Sequence, residues 1–179
     1  AKQTHAEAHA GLGQVYNKLK QYQDAIANYK EAIRIKPDYD IAYEHLGIVY
    51  QELGRNDEAI ASYKQAIRIN PNDTHAYQNL ARNYIGQGKI NTALTILKRA
   101  DQITPNNVFI QTILGAVYWE LDKPQEALKL YKKTLDSNPE SPEDIIWVFS
   151  NLAEAYEKLK RYDDAIEFSK KALEIDYDY

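Results

Sequence analysis

The sequence predicts an all-α protein, an array of five stacked helix-turn-helix repeats, and three observations carry that prediction. Pro37, Pro71, Pro105 and Pro139 stand 34 residues apart. A leucine returns at the same column of every copy, as Leu12, Leu46, Leu80, Leu114 and Leu152. Each is followed by Gly or Ala and, four residues after the leucine, by Tyr16, Tyr50, Tyr84, Tyr118 or Tyr156. Within a copy the packing residues recur at i, i+3, i+4 and i+7, as His9, Leu12, Gly13 and Tyr16 do, which is one face of an α-helix and not the alternation of a strand. A fixed period of this length marks a stacked array, because one helical hairpin cannot bury its apolar face alone.

Copies starting at Ala6, Asp40, Thr74, Val108 and Ile146 account for the chain. They give a leader at 1–5, repeats at 6–39, 40–73, 74–107, 108–141 and 146–179, and an insertion at 142–145. The second helix of the first copy shows the same period in Ala25, Ile26, Tyr29, Ala32 and Ile33. Small residues fill three columns: Gly13, Gly47, Ala81, Gly115 and Ala153; Ala25, Ala59, Ala93, Ala127 and Ala165; Ala32, Ala66, Ala100, Thr134 and Ala172. Small side chains let helix axes approach while Tyr and Leu fill the space beside them. Gly54, Gly88 and Asp122 break the chain between the two helices of a copy, Pro124 suits a first helical turn, and the closing proline ends the second helix. Ser141, Pro142, Glu143 and Asp144 read as N-cap to N3 of a capped helix start. The insertion is close to one helical turn, so the first helix of the fifth copy is expected to be one turn longer at its start.

Composition narrows function. Lys and Arg number 22 against 26 Asp and Glu, a net charge of −4, and the cations are scattered rather than massed. Neither nucleic acid nor a membrane surface is therefore an expected partner. No apolar stretch approaches the ~20 residues of a membrane span, and the expected compartment is the cytoplasm. With no Cys, disulfides, thiolate catalysis and thiolate metal sites are excluded. His5 and His9 are four apart on a helix and could share a metal, but no third ligand is in reach by sequence. There is no phosphate loop, nucleophile triad or zinc signature, so the chain is expected to be no enzyme and to need no cofactor or metal.

The 34-residue period, the Leu-Gly/Ala…Tyr first helix, the Ala…Ala second helix and the closing Pro resemble tetratricopeptide repeats. The second copy, DIAYEHLGIVYQELGRNDEAIASYKQAIRINPND, is close to the family pattern. The resemblance implies a right-handed superhelical solenoid whose concave groove, lined by the first helix of each copy, holds extended or helical peptides of partner proteins. Departures are Gln111 and Pro124 in the fourth copy, in place of the usual aromatics, and Tyr177 in place of the last proline.

If positions 4, 7, 8 and 11 of each copy face the core, positions 2, 5, 6, 9, 12 and 13 form the adjoining groove stripe. That stripe is polar in the first copies, where His45, His75 and Asn79 form a secondary polar site. It turns apolar around the fourth copy. There Phe109, Ile113, Trp119 and Trp147, flanked by Ile85 and Arg82, form the expected peptide-binding patch, with Arg82 anchoring an acidic or carbonyl group. The competing reading packs Trp119 among neighbouring helices and lays Trp147 over the added turn. The two-carboxylate clamp that some repeats of this family use for acidic C-terminal tails has no register here. Beginning at the first copy its places hold Ala10, Gln14, His45, His75 and Asn79, cationic only if the histidines protonate in acid. Three functions follow: a non-catalytic scaffold for a protein or peptide partner; a self-assembly module forming a homo-oligomer through the last helix, where Ile166 and Leu173 have no following repeat; and a regulatory segment of a larger enzyme. The last fits least, because the groove asparagine ladder it would need is reduced to Asn79 and Asn151.

Overall fold

The computed structural model of the chain describes residues 2–105, 107–137, 139 and 141–177, with backbone alone at 2, 3, 176 and 177. Residues 1, 178 and 179, which belong to the expected leader and last copy, lie outside them, as does the side chain of Tyr177. The described residues form ten α-helices and no strand. These are α1 (Lys2–Lys18), α2 (Tyr22–Ile35), α3 (Asp40–Glu52), α4 (Asn56–Ile69), α5 (Thr74–Gly86), α6 (Ile90–Ile103), α7 (Val108–Glu120), α8 (Pro124–Asp136), α9 (Pro142–Lys158) and α10 (Tyr162–Tyr177). They fall into two compact units, Ala1–Lys89 with α1 to α5 and Ile90–Tyr179 with α6 to α10. In each unit every helix packs on the next one along the chain. Lys2 to His5 of the leader lie in the first turn of α1.

One turn closes the first helix of every copy. Gly54 N–H donates to the Gln51 carbonyl at 2.9 Å and Arg55 N–H to the Tyr50 carbonyl at 2.8 Å, the paired bonds of a Schellman cap. The same pair recurs at Lys20 and Gln21, Gly88 and Lys89, Asp122 and Lys123, and Lys160 and Arg161. The cap needs a left-handed residue, and all five have positive φ: 70° and 72° at Gly54 and Gly88, but 59°, 55° and 58° at Lys20, Asp122 and Lys160. A side chain there crowds its own backbone, and glycine does not. We therefore expect Lys160→Gly to stabilise the protein by about 0.5–1 kcal/mol after the extra freedom of an unfolded glycine is offset. Thermal unfolding of this variant checks it, and lost stability would count against the turn. At the other end of a helix, Ser141 Oγ accepts from Asp144 N–H at 3.0 Å and Pro142 opens α9, which spans 17 residues against 13 for α3, α5 and α7.

Small columns set the helix spacing. A Cβ on Gly47 would stand 2.6 Å from the Tyr63 ring and one on Gly13 2.9 Å from Tyr29, and one on Gly115 would overlap Tyr131. Copies with glycine carry Tyr29, Tyr63 or Tyr131 at the facing column; those with Ala81 and Ala153 carry Leu97 and Ser169. In the fifth copy Phe168 supplies the missing ring, stacked on Tyr156 at 5.6 Å and tilted against Phe149 at 5.8 Å. Two further columns are core. Ala42, Ala76, Ile110 and Val148, and Val49, Asn83, Val117 and Ala155, are buried where one copy meets the one before. Gln111, in an aromatic column, is wholly buried and satisfied: its amide donates to Asp101 Oδ1 at 3.0 Å and its carbonyl accepts from the Thr134 hydroxyl. Leu12 corrects the expectation that its whole column is core. It is 48% exposed, where Leu46 is 5%, because the cover that α2 gives α3 has no counterpart on α1 among the described residues.

Candidate functional site

The expected groove residues fall in both units, and each unit presents its own face. In the second unit, position 2 of the fourth and fifth copies places Phe109 on α7 and Trp147 on α9, 49% and 51% exposed. Their rings meet at 6.3 Å between centroids, tilted by 58°, in the range of an edge-to-face contact. Ile113, one turn on from Phe109, is half-buried. Asn151 Nδ2 donates to the Trp147 carbonyl at 2.7 Å.

Trp119 is more enclosed than Phe109 and Trp147. It is half-buried, packed against the cluster of Leu128, Tyr131, Leu152 and Tyr156, and the Lys158 ammonium lies 5.3 Å above its ring. The part left open lines a cleft of about 100 Å³ with Ala116, Asn151, Glu154 and Lys158. Lys158 also pairs with Glu154 at 2.7 Å. Position 12 turns further toward the hairpin than position 2, a difference that the stripe drawn from sequence does not separate. This face thus offers a pair of open rings, a half-buried isoleucine, and a second indole capped by a cation.

The first unit presents the polar face. Arg82 is exposed and Ile85 half-buried on α5. Asn79 Nδ2 donates to Glu44 Oε1 at 3.2 Å, and Asn70 Nδ2 to Asp40 Oδ2 at 2.9 Å. Asp73 caps α5, accepting from the N–H groups of His75 and Ala76. Burial pushes the Glu44 carboxyl up to about 7, helped by the nearby Asp73 and Asp40 charges and opposed by His75. His45 stacks on Tyr29 at 5.8 Å and 12°, and burial holds its imidazole below the usual range, against the pull of Asp73. Burial thus works against protonation of His45, and the Asp40 and Asp73 carboxylates lie near this face. Gln78, placed on the groove stripe from its position, is buried. Ile41, 47% exposed at position 2, adds a large apolar side chain to this mostly polar face, in the column that holds Phe109 and Trp147 in later copies.

His5 is exposed, and His9 Nδ1 lies 3.0 Å from Asn28 Oδ1. Among the described residues no three of His, Asp and Glu are grouped to hold a metal ion, and no helix is long and apolar enough to cross a membrane.

Helical hairpins, one repeated cap and first helices with open side chains define an interaction scaffold of the helical-repeat class. A family model of the TPR repeat matches residues 13–54, and two models of the tetratricopeptide repeat match residues 50–115 and 109–178. The chain belongs to the tetratricopeptide-repeat family. No curated protein sequence matches it. Among solved structures it is similar to MamA, at 24% identity over 93% of this chain and 95% of that one, with a TM-score of 0.75. It is also similar to TTC0263, a thermophilic TPR protein of Thermus thermophilus, at 26% identity over 94% of this chain and 90% of that one, with a TM-score of 0.68. A third is a chain of the APC/C hetero-tetramer Cut9–Hcn1, at 22% identity over 95% of this chain and 33% of that one, with a TM-score of 0.74.

Proposed function

We propose that the chain is a non-catalytic scaffold that captures an apolar or aromatic segment of a partner protein on the α7–α9 face of its second unit. The observation that carries this reading is the Phe109–Trp147 pair, two large rings half open to water on adjacent first helices. Contiguous apolar surface is unfavourable to leave wet, and aromatic residues dominate binding hot spots. Lys158 and Glu120 bring charge to the rim of the adjacent cleft, which suits a segment with polar flanks. Arg82 and Ile85 belong to the first unit and are no part of this surface.

Burying one large apolar side chain contributes about 1.5–3 kcal/mol, so two or three such contacts, after ordering costs, correspond to micromolar affinity. Selection of a displayed random peptide library on the immobilised protein should enrich peptides with aromatic or branched aliphatic residues. Phe109→Ala with Trp147→Ala should then weaken the selected peptides at least tenfold with helicity retained. Trp119→Ala is the poorer probe, because it also removes core packing. Undiminished binding to the double variant would refute the surface.

A further inference from the structure

We propose that copies of this chain associate head to tail, the α1 face of one molecule seating in the groove between α9 and α10 of the next. Both surfaces are made of residues apart from the Phe109–Trp147 ring pair. Leu12, Val15 and Leu19 form a stripe at i, i+3 and i+7 along one side of the first hairpin, 48%, 54% and 62% exposed. Their counterparts in the fifth copy, Leu152, Ala155 and Leu159, are buried or half-buried. They pack in one cluster with Leu128 and Leu135 of α8. The columns of Leu128 and Leu135 reappear on α10 as Ile166 and Leu173, here 52% and 53% exposed. The molecule thus displays, at opposite ends of its sequence, the two halves of a joint that it makes internally between α8 and α9.

Shape and charge both select a second copy as the occupant. Ala153, Ala165 and Ala172 line a concavity of about 730 Å³ beside Tyr162, Ile166 and Leu173. Small residues flanked by large ones are the holes into which an apolar helix stripe inserts. From Lys2 to Lys20 the first helix and its turn carry three lysines against Glu7, whereas α10 carries five acids against Lys170 and Lys171. Pairing α10 with α10, or α1 with α1, would bring like charges together; pairing α1 with α10 brings opposite ones. The contact is heterologous, so it propagates into chains unless geometry closes a ring.

The test is sedimentation of the 179-residue chain from about 10 μM to about 1 mM, the range that weak contacts require. The weight-average mass should rise more than twofold and pass the dimer. Leu12→Glu with Val15→Glu, and separately Ile166→Glu with Leu173→Glu, should each leave a helical monomer, since all four side chains are already half in water. Mixed together, the two variants should form a 1:1 complex and stop there, because each keeps one intact face. A wild-type chain monomeric throughout, association of either variant alone, or failure of the folded variants to pair would each overturn the proposal.

Discussion

Gly47→Ala should destabilise the protein by about 1–3 kcal/mol, the cost of forcing atoms into a packed core. The added methyl would stand 2.6 Å from the ring of Tyr63, which is wholly buried and whose hydroxyl donates to Gln51 Oε1 at 3.2 Å. The ring therefore has no free direction in which to yield. The third and fifth copies show what relieves the conflict: alanine at this column goes with Leu97 or Ser169 at the other. Tyr63→Leu alone should cost stability through a cavity and a lost hydrogen bond, yet cost much less, or nothing, once Gly47→Ala is in place. Denaturant unfolding of the two single variants and the double should give a favourable coupling of at least about 1 kcal/mol. Additive effects would show that the glycine column does not set the helix spacing.

Glu44→Gln should stabilise the protein at pH 7.5 and above by about 1–3 kcal/mol, and have little effect near pH 4. The folded carboxyl is raised to about 7 from 4.5, so between those values the folded state holds a proton that the unfolded state has released. Stability carried by this group is complete below pH 4.5, falls as pH rises, and is lost above about 7. One unit is worth about 1.4 kcal/mol, and water that still reaches this half-buried side chain places the effect below the full product. Glutamine keeps a carbonyl to accept from Asn79, so the variant removes the charge and leaves the contact. His45, whose burial makes the opposite slope, is present in both proteins and cancels in the difference. Unfolding curves at pH 4.5, 6 and 8 decide it; a difference that does not grow with pH would mean Glu44 is ionised in the folded protein.

The repeat columns are legible because one sequence states them five times. The hairpin, the proline stop and the Gly-to-Tyr contact all follow from period and side-chain size. Two kinds of feature are not legible. The columns of Ala42 and Val49 are as deeply buried as the recognised ones, but their cover comes from the preceding copy, so a helical wheel drawn for one hairpin places them at its edge. The same cause leaves Leu12 exposed although it matches Leu46 in type. Positive φ at Lys20 and Lys160 is also hidden, since lysine announces no turn; only its column, shared with Gly54 and Gly88, does so.

At the site, residue type identifies the rings and position fails to grade them. Phe109 and Trp147 share position 2 and point into water, whereas Trp119 at position 12 rests on the core. Glu44 and His45 sit on the stripe like any solvated pair. Their environment follows from residues distant in sequence, Asp73 and Asn79 on one side and, for His45, Tyr29 from the preceding copy.

The most direct measurement uses the fact that the chain has two tryptophans, each with one indole N–H resonance. Titration with a peptide selected on the wild-type protein should shift the Trp147 indole signal, move Trp119 less because its ring is held between the core and Lys158, and leave the amides of α1 to α4 in place. If Trp147 stays still while the peptide saturates amides elsewhere, the aromatic face is not where this repeat protein holds its partner.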